Sequence, residues 1–371
     1  MTPAAEPLPA SIRSLDERAE RDLATVERTV GSPWCNGANP MNAPAHHEER
    51  LPRKVVAVDA AGLLSESFPP RDKLLKPWLT TQSLAMIYAP RGIGKTHMAL
   101  GVAYALASGG EFLGWKATVQ TPVLYLDGEM PGADLKARVA TIIASNEREA
   151  ADGYLRFVTP DLQEDGVMPN LYRPEGREAV TAALGNARVI IVDNLSCLVR
   201  GGKENEGESW QPVQEWALQM RSQGLSVVFV HHAGKGGQQR GTSKREDVLD
   251  TVIALRKPAD YEPDQGARFE VHFEKARALY GQDVSPFEAA LTTLPDGNQT
   301  WATRAVSDAS EEQMIELAGL GLTMREIGSE LGVNHSTVVR ALNKAKDAGR
   351  YIPKPKPKKK PTPKRGNCDD D

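Results

Sequence analysis

Short apolar runs alternate with helical patterns through the middle of this chain, from Val55 to about Leu294. The runs Leu84–Tyr88, Val123–Asp127, Leu155–Val158, Val189–Asp193, Val227–Val230 and Arg268–Glu274 predict strands. Between them, Ala133–Ser145, Glu175–Leu184, Ser209–Ser222 and Lys244–Leu255 predict helices. This alternation specifies an α/β fold with a mainly parallel sheet covered on both faces. Ligands in such folds bind at the carboxyl ends of the strands. Before this region, Ile12, Leu15, Ala19, Leu23, Val26 and Val30 recur at steps of three and four. That narrow stripe fits either a helix packed on a neighbouring subunit or a marginal helix in a disordered arm. After the region, Asn298–Ser310 reads as a polar linker and Glu311–Gly349 as a compact helical segment. The expected organisation is an arm over 1–55, a large domain over 56–300, a helical domain over 311–350 and a tail over 351–371.

Composition narrows the class. Three widely spaced cysteines in 371 residues cannot make a disulfide framework or a four-cysteine metal site. The polar N-terminus lacks an apolar core of signal-peptide length, and no run reaches the roughly 20 apolar residues of a membrane span. A soluble, cytoplasmic protein with no membrane partner is expected. The net charge of −4 hides an asymmetry, because Lys354–Arg365 holds seven basic residues and no acidic one. Its proline-rich sequence cannot continue a helix, and the charge points to a polyanion such as nucleic acid.

The chemistry sits at the strand ends. Ala89-Pro90-Arg91-Gly92-Ile93-Gly94-Lys95-Thr96 follows a strand and opens a helix, the setting a phosphate-binding loop requires. Its backbone N–H groups would cradle the phosphates of a nucleotide. Lys95 would reach the β- and γ-phosphates, and the Thr96 hydroxyl would ligate Mg²⁺. Ala89 stands where the pattern usually has glycine, a loss that matters only if the backbone there needs positive φ. The strand Val123–Asp127 leads into Gly128-Glu129. Glu129 is read as a base that polarises water for attack on the γ-phosphate, or as a charge favoured by the dipole of the next helix. Asp127 is its rival. Val189–Asp193 ends in an acid suited to Mg²⁺, held directly or through water. Val227–Val230 runs into His231-His232, which point to opposite faces and cannot easily share an ion. One of them, with preference for His232, is read as a γ-phosphate sensor, and a hydrogen-bonded structural histidine is the alternative.

Two long loops follow, over 200–207 and 234–243. Lys235, Arg240, Lys244 and Arg245 give the second a basic edge suited to a nucleic-acid backbone, unless it is simply mobile. Lys275 and Arg277 close the last strand. They fit either surface charges or a finger supplied in trans to a neighbour's γ-phosphate.

The order phosphate loop, strand-end Glu, strand-end Asp, His-ended strand and Lys-x-Arg resembles the RecA-like P-loop cores of hexameric replicative helicases. The similarity is greatest to the plasmid RepA family, with DnaB helicases more distant. "YAPRGIGKTHMALGVAYALASGG", "VLYLDGEMP", "IIVDNLS" and "VFVHHAGKGGQQRGTS" carry it, over roughly Asp72 to Ala290. The resemblance implies ATP and Mg²⁺ as cofactors, with Lys95 and Thr96 at phosphate and metal, and Glu129 as catalytic base. It further implies Asp193 at the metal, a strand-end His as sensor, and Arg277 with Lys275 as the inter-subunit finger. The resemblance also implies a homo-oligomeric ring of the hexameric type, with the two long loops facing single-stranded DNA in a central channel.

Thr323–Leu342 reads as a helix-turn-helix, similar to those of resolvases and many bacterial regulators. Thr323 and Glu326 make a capping box, Gly328 is small where helices cross, and Gly332 makes the turn. Asn334 would cap the second helix, and Val338 and Leu342 would pack inward. Ser336, Thr337, Arg340 and Lys344 would face outward as duplex-DNA contacts. A helical bundle contacting only protein is the other reading. The expected function is Mg²⁺-dependent ATP hydrolysis coupled to DNA, as in a plasmid- or phage-type replicative helicase. The alternative is an ATP-switched DNA-binding regulator without unwinding activity.

Overall fold

The structure, a computed structural model, describes residues 55–201, 207–234 and 247–352. The apolar stripe of the N-terminal arm, Lys235, Arg240, Lys244, Arg245 and the Lys/Pro tail lie outside the described residues. The chain divides into two compact units, residues 1–67 and 68–371. In the first, helix α1 (Ala60–Ser65) is capped by Asp59, whose Oδ1 accepts from the Gly62 amide at 2.7 Å.

The second unit opens with β1 (Lys73–Lys76) and β2 (Leu79–Thr80), then β3 (Leu84–Ala89) and α2 (Lys95–Ser108). Next come β4 (Glu111–Phe112), β5 (Trp115–Ala117), β6 (Val123–Asp127), α3 (Gly132–Ala144), β7 (Leu155–Val158) and α4 (Pro174–Ala182). They are followed by β8 (Val189–Asp193), α5 (Leu195–Leu198), α6 (Gly207–Ser222), β9 (Ser226–His232) and β10 (Thr251–Arg256). The chain continues through β11 (Arg268–Ala276), β12 (Phe287–Thr293) and β13 (Gln299–Ala305) to α7 (Val306–Gly319), α8 (Met324–Glu330) and α9 (His335–Asp347).

A nine-stranded sheet in the order β13-β12-β11-β10-β3-β9-β8-β6-β7 organises this unit. From β10 to β7 the strands are parallel, and β11, β12 and β13 add an antiparallel flank. Strands β3, β8 and β9 are buried at every position, as expected where both faces are covered. Alternate residues feed two cores. Ala85, Ile87 and Ala89 pack with Met98 and Val102 of α2, whereas Leu84, Met86 and Tyr88 face the cluster containing Trp210, Val213 and Trp216 of α6. Gly101 lets α2 approach β4, because a Cβ there would lie 2.2 Å from the Phe112 ring.

Three expectations are corrected. The helix expected over Lys244–Leu255 gives way to β10, which pairs in parallel with β3 from Thr251↔Ala85 to Ala254↔Tyr88. The β-branched run Thr251-Val252-Ile253 is fully buried, and such residues fit a two-sided sheet better than a helix. The linker expected over Asn298–Ser310 is instead β13 and the start of α7. β13 is an edge strand whose outward residues are polar or small while Trp301 turns inward onto Phe112 and Phe269 at 5.6 and 5.5 Å. Its polar letters mark a half-exposed strand. β11, expected within the parallel alternation, runs antiparallel to β10.

Helices α7, α8 and α9 close on a separate small core of Met314, Ala318, Ile327, Val338 and Leu342. Arg304 at the end of β13 joins this helical part to the sheet, pairing with Glu288 at 3.2 Å and with Glu312 at 2.6 Å.

Candidate nucleotide-binding site

Because β3, β9, β8 and β6 run parallel, their carboxyl ends share one edge, where Ala89 pairs with His232 and Asp127 with Asp193. The phosphate loop turns there between β3 and α2. Gly92 and Gly94 take φ of +75° and +107°. A side chain at Gly94 would also meet Ala267 Cβ at 3.1 Å and Phe269 at 3.2 Å, so glycine is required twice over. Ala89 is different: it ends β3, is fully buried and does not have positive φ. A Cβ is therefore accommodated at the position where glycine is usual.

Lys95, 7% exposed, donates from Nζ to the Ala89 carbonyl at 3.3 Å and the Pro90 carbonyl at 2.9 Å. Burial pushes its pKa below the ordinary lysine value, and the carboxylates of Asp193 and Glu129 oppose that shift. The N-cap of α2 is Gly94, with no side chain to cap the helix. Its first N–H groups thus face the loop, a ready anion site.

Asp193 is wholly buried. Its Oδ2 accepts from the Tyr125 hydroxyl at 2.6 Å, and it is also hydrogen-bonded to the Thr96 side chain. Its pKa is raised to about 6, chiefly by burial and further by the nearby Asp127 charge, against the opposing hydrogen bonds from Tyr125 and Thr96. Among the described residues no three His, Cys, Asp or Glu side chains converge as a metal cage. A hydroxyl beside one carboxylate fits a hard cation such as Mg²⁺, which takes few protein ligands and keeps waters and phosphate oxygens.

Glu129 is 62% exposed, its Oε2 accepting from the Asn194 side-chain amide and lying 3.9 Å from His232 Nε2. His232 lines the cavity and His231, its neighbour on β9, does not. The cavity measures about 570 Å³ and is bounded by the phosphate loop, Asp127, Glu129, Asp193, Asn194 and His232, and by Arg138 and Ala267. Lys95, Thr96, Glu129, Asp193 and His232 thus meet in one place. Such a set can grip a phosphate chain, hold a cation and present a base.

Tyr125 and Asn194 were not legible as site residues. Tyr125 lies mid-strand in a buried run, where an aromatic reads as core. Asn194 had a weak signal, an amide just after the strand-end acid and three residues before the Cys197 amide that its Oδ1 accepts from at 3.3 Å as N-cap of α5.

Lys275 and Arg277 are not in this cavity. β11 is antiparallel to β10, so its Ala276 end lies beside Thr251 and Ala85, at the opposite edge of the sheet from Ala89. There Arg277 donates to the Asp247 carbonyl at 2.9 Å and lies 4.0 Å from Asp250.

In the helical part, Thr323 and Glu326 form the expected capping box, with amide contacts of 2.7 and 3.3 Å. Gly332 has φ of +64°, and a Cβ at Gly328 would meet the Val333 carbonyl at 2.8 Å. Val338 and Leu342 are buried, as expected. Asn334 occupies the N-cap of α9 without a side-chain capping bond, a correction; its backbone carbonyl receives the Thr337 amide at 2.8 Å instead. Ser336 and Arg340 are exposed and Thr337 is half-buried. Lys344, although exposed, is drawn back to the buried Glu311 at 3.2 Å.

A phosphate loop at the end of β3, with β9 between it and the Asp-ended β8, defines a P-loop ATPase with a RecA-like core. The AAA domain family model matches residues 46–238, more than half of the chain and the stretch containing Lys95, Glu129, Asp193 and His232. The chain belongs to this AAA domain family. Among solved structures it is similar to the KaiC-like protein PH0186 from the hyperthermophilic archaeon Pyrococcus horikoshii OT3. That likeness has 15% identity, covers 62% of this chain and 93% of the other, and has a TM-score of 0.41. No helix among the described residues is long and apolar enough to cross a membrane.

Proposed function

We propose that this ATPase hydrolyses ATP with Mg²⁺ and couples turnover to DNA, as a ring-forming replicative helicase of the RepA type. The meeting of Lys95, Thr96, Glu129, Asp193 and His232 in one cavity is the observation that carries the reading. Lys95 and the N-terminus of α2 hold the β- and γ-phosphates. When bound, Mg²⁺ neutralises phosphate charge, held by the Thr96 hydroxyl and the Asp193 carboxylate. Glu129, aimed by the Asn194 amide, accepts the proton of the attacking water. His232, beside Glu129, reports whether the γ-phosphate is present. Arg277 lies at the far edge of the sheet, away from this chain's own cavity, and its proposed role is in trans, stabilising charge at a neighbouring subunit's site. Mixing Arg277→Ala subunits with Glu129→Gln subunits should restore part of the activity at shared interfaces, and no recovery would remove the trans role.

A second reading is favoured by the tight turn at Gly332 and the exposed Ser336 and Arg340 on α9. In it, α8 and α9 bind a duplex site and nucleotide sets only the oligomeric state. ATPase assays with single-stranded DNA, duplex DNA and none, with strand displacement and native mass, separate the two. Stimulation by single strands with displacement supports the helicase. Tight binding of a specific duplex without displacement supports the regulator.

A further inference from the structure

Two carboxylates end β6, and they are held in opposite ways. Glu129 is mostly exposed. Asp127, two residues earlier, is 2% exposed. Its Oδ1 accepts from the backbone amides of both Glu129 and Met130, each at 2.9 Å. Its Oδ2 is buried and has no hydrogen-bond partner. One oxygen is therefore committed to the chain, and the other is buried where Asp127 borders the nucleotide cavity.

The segment these bonds hold is fixed from two other sides. The Gly128 amide donates to the Asp193 carbonyl at 2.7 Å, tying β6 to β8 just past their last paired residues. A Cβ at Gly128 would lie 3.0 Å from both Cys197 Cβ and Leu198 Cγ, so the backbone is pressed against α5. Helix α5 is the one that begins after Asn194, whose amide meets the Glu129 carboxylate. The Gly128 amide and the Glu129 carboxylate are thus each anchored to the end of β8, and Asp127 supplies the anchor at the backbone of residue 129 itself.

We infer that Asp127 is a positioning residue. By binding the amides of Glu129 and Met130 it fixes the turn that aims the Glu129 carboxylate into the nucleotide cavity. The inference rests on the reading of Glu129 as the base. A misplacement of about 1 Å at a reacting group costs on the order of 100-fold in rate, so a loosened turn should be visible in turnover while leaving nucleotide affinity intact.

The test uses the full chain and four variants: Glu129→Gln, Asp127→Ala, Asp127→Asn, and Asp127→Ala combined with Glu129→Gln. Glu129→Gln is judged first. Wild-type turnover in that variant would overturn the reading of Glu129 and this inference with it. With Glu129→Gln strongly slowed but its residual turnover still measurable, Asp127→Ala should lower kcat by about 10- to 100-fold, with the Kd for a fluorescent ATP analogue changed less than about twofold. Asp127→Asn keeps an acceptor oxygen for the two amides and should recover most of that loss. In the double variant no further loss should appear, because Asp127 acts through Glu129. Unchanged kcat in Asp127→Ala, losses that multiply in the double variant, or an Asp127→Asn variant slower than wild type by more than about tenfold would each overturn it. The last outcome decides the matter even if Asp127→Ala does not fold.

Discussion

The nucleotide cavity and the C-terminal helices use charge in opposite ways. In the cavity, β3, β6, β8 and β9 bring Lys95, Asp127, Asp193 and His232 to one edge and bury all four. In the helical part, Ser336, Arg340 and Lys344 come from the single helix α9 and remain at the surface or at most half-covered, Lys344 held by an ion pair. A buried charge must be satisfied by partners fixed in advance: two carbonyls for Lys95, a phenol and a hydroxyl for Asp193. An exposed charge is satisfied by water and is free to change partner. Removing a cavity charge should therefore abolish a reaction, whereas removing a surface charge should only shift an affinity.

The largest effect tests the first half of that contrast. Lys95→Ala should reduce ATP hydrolysis by at least about 100-fold, the usual cost of losing a charge aimed at a transition state. Near-normal turnover would sink the whole site. Next is the buried pair at the junction of the two regions. Glu288 accepts from Arg268 Nε at 2.8 Å, and Arg268 also meets Asp260 at 2.8 Å. The hydrogen bond from Arg268 to Glu288, ahead of those with Asp260, holds the guanidinium pKa above its ordinary value despite partial burial. Glu288→Ala would strand much of that charge, and denaturant unfolding should show a loss of about 3 kcal/mol, with Glu288→Gln costing less. Equal stability in all three proteins would show that the pair is not coupled to folding.

The cavity was largely legible in the sequence because each part depends on a local rule. A glycine-rich turn after a strand, an acid after four apolar residues and a histidine at a strand end each keep their meaning wherever the strand lies in the sheet. β6, β7 and β8 have the bounds that their apolar runs predict. What could not be read depends on neighbours distant in sequence. The sequence of β10 reads as helix because a short apolar run has no decisive period, and only β3 and β11 on either side make it a strand. The sequence of β13 reads as a linker because its largely polar side faces out. The roles of Asn194 and Asp127 needed the cross-strand pairing of β6 with β8. In the helical part the capping box and the glycine turn were legible, but the retraction of Lys344 onto Glu311 required knowing that α7 packs there.

That retraction separates two residues of the same type of surface. If α9 meets duplex DNA, Arg340→Ala should weaken binding about tenfold, as for an arginine reaching a base or phosphate. Lys344→Ala should cost less than about threefold, since its ammonium is already shared with Glu311. Titrations at two salt concentrations check both. A larger loss for Lys344→Ala would mean that the ion pair opens on binding and that the contrast between the two cations fails.

The smallest effect lies at the start of α8, where a surface charge is fixed by the chain alone. The Glu326 carboxylate accepts from the Thr323 amide at 2.7 Å, and its pKa is held below the ordinary 4.5 by that backbone bond and then by the Thr323 side chain. Since the folded value is depressed, an unfolded chain binds the proton first as pH falls. The capping bond therefore stabilises α8 fully above about pH 4.5, loses that contribution as pH falls through the folded value, and gives none below it. An NMR titration of Glu326 should place its pKa below 4.5, and Thr323→Ala should move it part of the way back. Glu326→Gln keeps an acceptor without the charge and should make the first turn of α8 insensitive to pH over the same range. A Glu326 value at or above 4.5 in the wild-type protein would show that the cap is not closed in solution, and surface charge in the helical part would then be free even where the sequence pattern fixes it most clearly.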